Sequence, residues 1–243
     1  MKPIIWTYWE NKNDADHDPA IVQKHKAIFE RYDNIKVVNN STIHQYLGYL
    51  VDCGRIEHIA QKVDYYRAKL LYEYGGIWLD MDSILLEDLT DLWETFVVSK
   101  CEACCEYGDC GGSGRHDDNI PNANVQVMFF QPKSDIAEQW YKSCEQMIES
   151  GVWLDWGSLG GLALGKVIQA NPGKTMVLPG WVIWTLGWEQ HQTYYSTDSH
   201  FIEDQLRNIR ENKPKIIMLY GKFMYDLPVL KGCLLEQMWG LAE

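Results

Sequence analysis

The chain has 243 residues, 22 Lys and Arg against 34 Asp and Glu, and a net charge of −12. That length is enough to bury a full core, and with no long Pro/Ser/Gly-rich stretch to act as a linker it predicts one domain, 1–243. The acidic balance, with no local basic run, disfavours nucleic acid and anionic membrane surfaces as partners. No window reaches the roughly 18 uninterrupted apolar residues of a spanning helix. The opening "MKPIIWTYWENKNDADHDP" lacks the pattern of a signal peptide. The expectation is a soluble, cytoplasmic protein, or one peripheral at a membrane, whose 7 cysteines are thiols.

In chain order, "PIIWTYW" (3–9) predicts a strand, "PAIVQKHKAIFERY" a helix, and "NIKVVNN" (34–40) a second strand, which together make a βαβ unit. "STIHQYLGYLVDCG" predicts a short helix with Ser41 or Thr42 as N-cap and Gly54 as its end. From Arg55 the spacing of Val63, Tyr66, Leu70 and Tyr74 predicts a longer helix closed by Gly75. A strand carrying Asp80 and Asp82 comes next, and then a helix over "LEDLTDLWETF". "CEACCEYGDCGGSGRHDDNIPN" predicts a flexible, Gly-rich loop with unligated thiols rather than a zinc site, because no second well-spaced CxxC pair is present. "VQVMFFQP" predicts a strand, "SDIAEQWYKSCEQMIES" a long helix capped by Ser134, and "TMVLPGWVIW" and "PKIIMLYGK" late strands. The alternation predicts an α/β fold with a mainly parallel sheet and some antiparallel strands.

Asp80 and Asp82 flank Met81, so in extended geometry both carboxylates leave the same side of the strand. Charges that close repel unless a cation sits between them, and a divalent ion is the simplest answer. In α/β sheets ligands collect at the carboxyl ends of strands, and Thr7-Tyr8-Trp9 and Asp80-Met81-Asp82 are two such exits. Asp64 and Arg67, three apart on a helix, share a face: a carboxylate for a ribose or base and a guanidinium for a phosphate, or else a surface ion pair. Trp6 and Trp9 are either base-stacking residues or core. Trp181, Trp184 and Trp188 are either a sugar platform or core. The remaining histidines, His25 among them, show no partner pattern and are expected on the surface or satisfied in the core.

"VDYYRAKLLYEYGGIWLDMD" (63–82) resembles the "SDxxRxxxLxxxGGxYxDxD" signature of retaining DXD-motif glycosyltransferases, including the capsular polysaccharide synthesis type, and "KPIIWTYW" resembles that family's "IPKIIWQxW" opening. The resemblance implies a GT-A fold, a nucleoside-diphosphate sugar donor, most plausibly a UDP-sugar, and Mn2+ or Mg2+ as cofactor, with a donor half at about 1–100 and an acceptor half at about 101–243. It implies that Asp80 lies near ribose and metal, that Asp82 ligates the metal, that Asp64 and Arg67 hold nucleoside and phosphate, and that Gly75 and Gly76 let the backbone approach the donor. Thr7, Tyr8 and Trp9 join the donor-binding set. "MLYGKFMYDLP" is similar to the family's late "HxxGxxKPW" run, with Tyr220 in the position of a metal-binding His and Lys222 within reach of the diphosphate; His200 or a water is the alternative ligand. "NIPNANVQVMFF" resembles the segment beside the donor sugar, which makes Asn124 and Gln126 candidate catalytic residues together with Asp80 and Asp82. "LDWGSLGGLAL" is similar to an acceptor segment and adds Asp155.

The implied activity is metal-dependent transfer of a sugar to a glycan acceptor, with retention, in polysaccharide or glycoconjugate assembly. A nucleotide-sugar hydrolase or phosphotransferase would use the same carboxylates but needs a base to position water. A glycan-binding module without catalysis would use the tryptophans alone.

Overall fold

The computed structural model describes residues 2–11, 18–107, 123–186, 188–219 and 229–242. In chain order the elements are β1 (Ile5–Tyr8), α1 (Ala20–Phe29), β2 (Ile35–Val38), α2 (Ile59–Tyr74), β3 (Gly76–Leu79), β4 (Ser83–Leu85), α3 (Thr90–Ser99), β5 (Ala103–Tyr107), β6 (Ala123–Phe130), α4 (Asp135–Ser150), α5 (Gly161–Ala170), β7 (Thr175–Val177), β8 (Ile183–Trp184), α6 (Ser199–Asn212), β9 (Ile216–Met218) and α7 (Leu234–Leu241). They form two compact units, one of residues 1–9, 36–79 and 90–178, the other of 10–35, 80–89 and 179–243. Among the described residues no helix is long and apolar enough to cross a membrane.

The first unit holds a six-stranded sheet in the order β2-β1-β3-β6-β5-β7. β1 and β3 are parallel, as are β5 and β7, while β6 runs antiparallel to both its neighbours, β3 and β5. Strands β1, β3, β5 and β7 therefore share one direction and β6 is reversed. This is the expected α/β sheet with mainly parallel strands. Strands β1 and β3 are buried along their length because helices α2, α4 and α5 supply Leu70, Leu71, Trp140, Cys144 and Leu164 to the same core as Trp6, Trp78 and Phe130. Helix α4 carries the expected cap, the Ala137 N–H donating to Ser134 Oγ at 3.2 Å. The second unit has a three-stranded sheet, β4-β9-β8, in which β4 pairs antiparallel and β8 parallel with β9.

Several sequence expectations are corrected here. Residues 41–54 form no α-helix, only a 3-10 turn at Ile43–Gln45. Asn39 explains this: its Oδ1 accepts the Ser41 and Thr42 N–H groups and both hydroxyls, so the residues expected to cap a helix are held in an Asx turn. α2 begins at Ile59 rather than Arg55. The cysteine-rich stretch is not wholly loop, because Cys104 and Cys105 lie buried in β5; Cys110 lies outside the described residues. Burial pushes the Cys104 thiol up to about 12, which leaves it protonated and a poor metal ligand or nucleophile at neutral pH.

Gly75 and Gly76 turn the chain from α2 into β3 with φ of +62° and +96°. A Cβ on Gly75 would stand 2.6 Å from Pro132 Cδ, and one on Gly76 would collide with the Ile4 carbonyl oxygen, which already accepts the Ile77 N–H at 2.9 Å. Both glycines are thus accounted for by the packing of β3 between β1 and β6. Gly76→Ala is expected to destabilise the fold by about 2 kcal/mol or more, read as a lower urea midpoint; an unchanged midpoint would show that the β1–β3 contact yields easily.

Candidate functional site

The strand directions of the six-stranded sheet bring several candidate residues to one edge. The register Ile5↔Ile77 and Trp6↔Trp78 sends the carboxyl ends of β1 and β3 to the same edge. Because β6 is reversed, pairing Gly76 with Phe130 and Leu79 with Val127, its amino end, Ala123 to Gln126, reaches that edge too. Thr7, Tyr8, Asn124 and Gln126 are therefore gathered there, whereas Gly75 and Gly76 lie at the opposite end of β3. Tyr8 is buried, with its ring 5.9 Å from that of Tyr66. Thr7 is fully buried, and its Oγ1 has no hydrogen-bond partner among the described residues. Trp9 is half-buried and its N–H donates to Val38 O. Trp6 is core, its indole N–H donating to Gly75 O at 3.0 Å. Asn124 is held at both ends of its amide: Oδ1 accepts the Gln126 N–H at 2.9 Å and Nδ2 donates to Glu106 at 3.1 Å.

Helix α2 carries a polar stripe, Gln61, Asp64 and Arg67, all at most 6% exposed. The pair Arg67–Asp64, 3.1 Å apart, is thus no surface ion pair. Arg67 also donates to Val125 O and lies over the Trp78 ring, 4.9 Å from its centroid. The Asp64 carboxylate packs so closely on Gly160 that a Cβ there would stand 2.8 Å from its Oδ1. Gly160 precedes α5, whose amino end favours a carboxylate. Gln61 Nε2 donates to the carbonyls of Leu154 and Asp155 at 2.9 and 3.1 Å. The stripe therefore fastens the segments that carry Asn124, Gln126 and Asp155. Asp155 itself is exposed, and its Oδ1 accepts the Trp153 indole N–H at 3.1 Å.

In the second unit Asp80 and Asp82 do not continue β3. The Ser83 N–H donates to Asp80 O at 3.1 Å, closing a turn over residues 80–83, with both aspartates half-buried. The extended geometry expected from Asp-x-Asp is replaced by this turn. Two bonds hold it: the Leu219 N–H donates to Asp82 O at 2.9 Å, and His25 Nδ1 donates to Met81 O at 2.6 Å. His25 is fully buried beside Trp239, ring centroids 6.1 Å apart. Burial lowers its pKa to about 4, against the weaker opposing effect of the Met81 carbonyl, so the imidazole is neutral at pH 7 with its proton on Nδ1. Sequence reasoning left His25 as a histidine without a partner pattern, since nothing in the sequence near it points 56 residues ahead to Met81.

Asp80 and Asp82 offer hard oxygen donors suited to Mn2+ or Mg2+. Among the described residues no three His, Cys, Asp or Glu side chains gather to hold an ion. Two carboxylates fit a metal that completes its shell from phosphate oxygens and water. Tyr220 and Lys222 lie outside the described residues, and His200 sits exposed in the first turn of α6. Trp184 donates to Asn208 at 2.9 Å and Trp181 is 49% exposed.

Residues 6–97 match the family described as "Glycosyltransferase sugar-binding region containing DXD motif". No curated protein matches the chain significantly by sequence. Among solved structures, a glycosyltransferase involved in glycosylation of the major capsid of PBCV-1 is 12% identical, with a TM-score of 0.52 over 91% of this chain and 94% of its own. The apo form of the glycosyltransferase GlyE of Streptococcus pneumoniae TIGR4 is 18% identical, with a TM-score of 0.53 over all of this chain and 60% of its own. The bifunctional WbbM structure is 11% identical, with a TM-score of 0.53 over 90% of this chain and 46% of its own. These likenesses show a shared fold.

The buried neutral His25 carries a pH signature. Its folded pKa, about 4, lies below the 6.5 of a free imidazole, so its contribution is complete above pH 6.5 and declines as pH falls, because only the unfolded chain takes up the proton. The loss approaches about 3 kcal/mol by pH 4. His25→Asn, which keeps a donor near Nδ1, is expected to flatten stability between pH 6.5 and 4.5 relative to the parent in urea titrations. Parallel curves would show that His25 titrates normally.

Proposed function

We propose that the protein, whose residues 6–97 match a glycosyltransferase sugar-binding region containing a DXD motif and whose fold is shared with solved glycosyltransferases, acts as one domain over 1–243 and moves a sugar from a UDP-sugar to a hydroxyl of a glycan acceptor, with retention. The observation that carries the proposal is the braced acidic turn: two half-buried carboxylates one residue apart, fixed through the backbone of Met81 and Asp82 within the matched segment.

The chemistry supports it. The bond from sugar C1 to the β-phosphate oxygen breaks and a bond from C1 to the acceptor oxygen forms as the acceptor hydroxyl gives its proton to the departing phosphate oxygen, so negative charge builds on the diphosphate before the proton arrives and must be met by positive charge already in place. A bound Mn2+ or Mg2+ supplies that charge as a Lewis acid. Asp82 would hold the ion directly, and Asp80 would face both ion and ribose. The Leu219 and His25 bonds keep the turn that bears them from relaxing away from their mutual repulsion. Tyr220, the residue after the one whose backbone bonds Asp82, is the candidate third ligand, and Lys222 a candidate partner of the diphosphate. Asn124 and Gln126 are proposed to meet the sugar, and Asp155 the acceptor. Arg67, bonded to Val125 O and paired with Asp64, and Asp64, packed on Gly160, support these segments from inside the protein.

Calorimetry with UDP, with and without Mn2+, tests the assignment. The parent protein is expected to bind UDP at least about tenfold more tightly with the ion present, a difference of about 1.4 kcal/mol, and Asp82→Ala to lose that dependence. Equal affinities in parent and variant would remove the turn from the donor site. Donor breakdown at the same rate with and without acceptor sugars would favour the hydrolase.

A further inference from the structure

The loop between α4 and α5 combines two properties that seldom occur together: it is clamped from within and aromatic on its outside. Gln61 holds the carbonyls of Leu154 and Asp155. At the other end, the Leu159 carbonyl accepts the Trp140 indole N–H at 2.7 Å and the Cys144 thiol at 3.3 Å. Between these anchors the Ser158 N–H donates to Asp155 O and the Gly160 N–H to Gly157 O, each at 3.0 Å. The backbone is held at all these points, yet Trp153 is 85% exposed, Trp156 57% and Val152 51%.

A floppy loop can leave an indole in water at little cost to anything else, but here the backbone that bears two of them is fixed, and the indole of Trp153 is itself tied to Asp155 Oδ1 at 3.1 Å. Rigid, exposed aromatic surface of this kind marks a contact face. What fits it is set by the neighbouring chemistry. Asp155 places a carboxylate, with a second oxygen still able to accept, between the two rings in sequence. The stretch Ser143–Gly165 contains no Lys or Arg, and the Arg55 guanidinium that lies against Gly151 donates to Met147 O, so the charge borne by Trp153–Trp156 themselves is the Asp155 carboxylate, which repels a phosphate, a carboxylate sugar or an anionic lipid headgroup. A neutral pyranose matches: its C–H face stacks on an indole while its hydroxyls donate to the carboxylate.

We propose that Trp153, Trp156 and Asp155 form the platform for a neutral pyranose of the acceptor glycan, with Gln61 as the positioning residue that fixes the loop. The proposal rests on the glycosyltransferase reading and adds the class of acceptor to it.

The test uses the whole chain labelled with 15N-tryptophan. The indole N–H resonances of Trp153 and Trp156 are assigned by their loss in Trp153→Ala and Trp156→Ala, both exposed positions where folding is not at stake. The protein is titrated with neutral mono- and disaccharides of glucose, galactose, mannose and N-acetylglucosamine, with methyl glucuronide, and with phosphatidylcholine and phosphatidylglycerol vesicles. At least one neutral sugar is expected to shift both resonances, with binding about tenfold weaker in Trp153→Ala. Gln61→Ala is expected to weaken binding with both indoles still present, while Gln61→Glu, which removes the donor at similar size, behaves as Gln61→Ala. Resonances unmoved by every neutral sugar, or moved by glucuronide or vesicles alone, overturn the proposal. A UDP titration with Mn2+ in the same samples reports separately on the donor site, so a failure of the platform and a failure of the transferase reading are distinguishable.

Discussion

The requirement that buried polar groups find partners organises the six-stranded unit. Gln61, Asp64 and Arg67 sit on a helix whose surroundings are apolar, and an unanswered amide, carboxylate or guanidinium there would cost several kcal/mol (roughly 1–3 for a lost hydrogen bond, more for a charge). Gln61 and Arg67 are answered by backbone from far along the chain, Leu154 and Asp155 for the one and Val125 for the other, and Asp64 is answered by Arg67, with its carboxylate packed on Gly160 at the start of α5. The helix therefore acts as a template on which two later segments are laid, and those are the segments that carry Asn124, Gln126 and Asp155. Polar matching inside the protein and placement of side chains at its surface are one constraint seen from two sides.

The acidic turn in the other unit is held by a similar device of opposite character. The brace on the turn that bears Asp80 and Asp82 is a histidine kept neutral by burial. A lysine or arginine in that place would neutralise the pair outright and compete with any cation for it. A neutral donor aimed at the Met81 carbonyl steadies the turn while leaving the carboxylates their charge. The turn is thus held through backbone carbonyls, those of Met81 and Asp82.

Much of this was legible in the sequence wherever the signal was local. The DXD segment with its preceding helix and glycine pair, the strand at Ile5–Tyr8, the reversed strand's hydrophobic run and the Ser134 cap were all visible, because hydrophobic period, caps and turn residues act over a few positions. Asp64 and Arg67 were found as a pair, but their burial was not, since a surface ion pair and a buried one share the same spacing. The turn at Asp80–Asp82 was read as strand because it depends on His25 and Leu219, and the helix expected at 41–54 lost to a single Asn39 side chain. Asp198, which accepts the His200 and Phe201 N–H groups, was a readable cap for α6 that the sequence reading passed over.

The polar stripe of α2 also bears on how the protein is made. As the chain emerges from the ribosome, α2 is complete some eighty residues before Leu154 and Asp155 appear, and about ninety residues separate Gln61 from the carbonyls it needs. Until then a helix settled onto the growing sheet would seal in the unanswered Gln61 amide, a cost that favours late closure of the layer. A product truncated before residue 154 would keep that helix wet and its neighbours loose, which gives proteases a direct means of telling unfinished chains from finished ones.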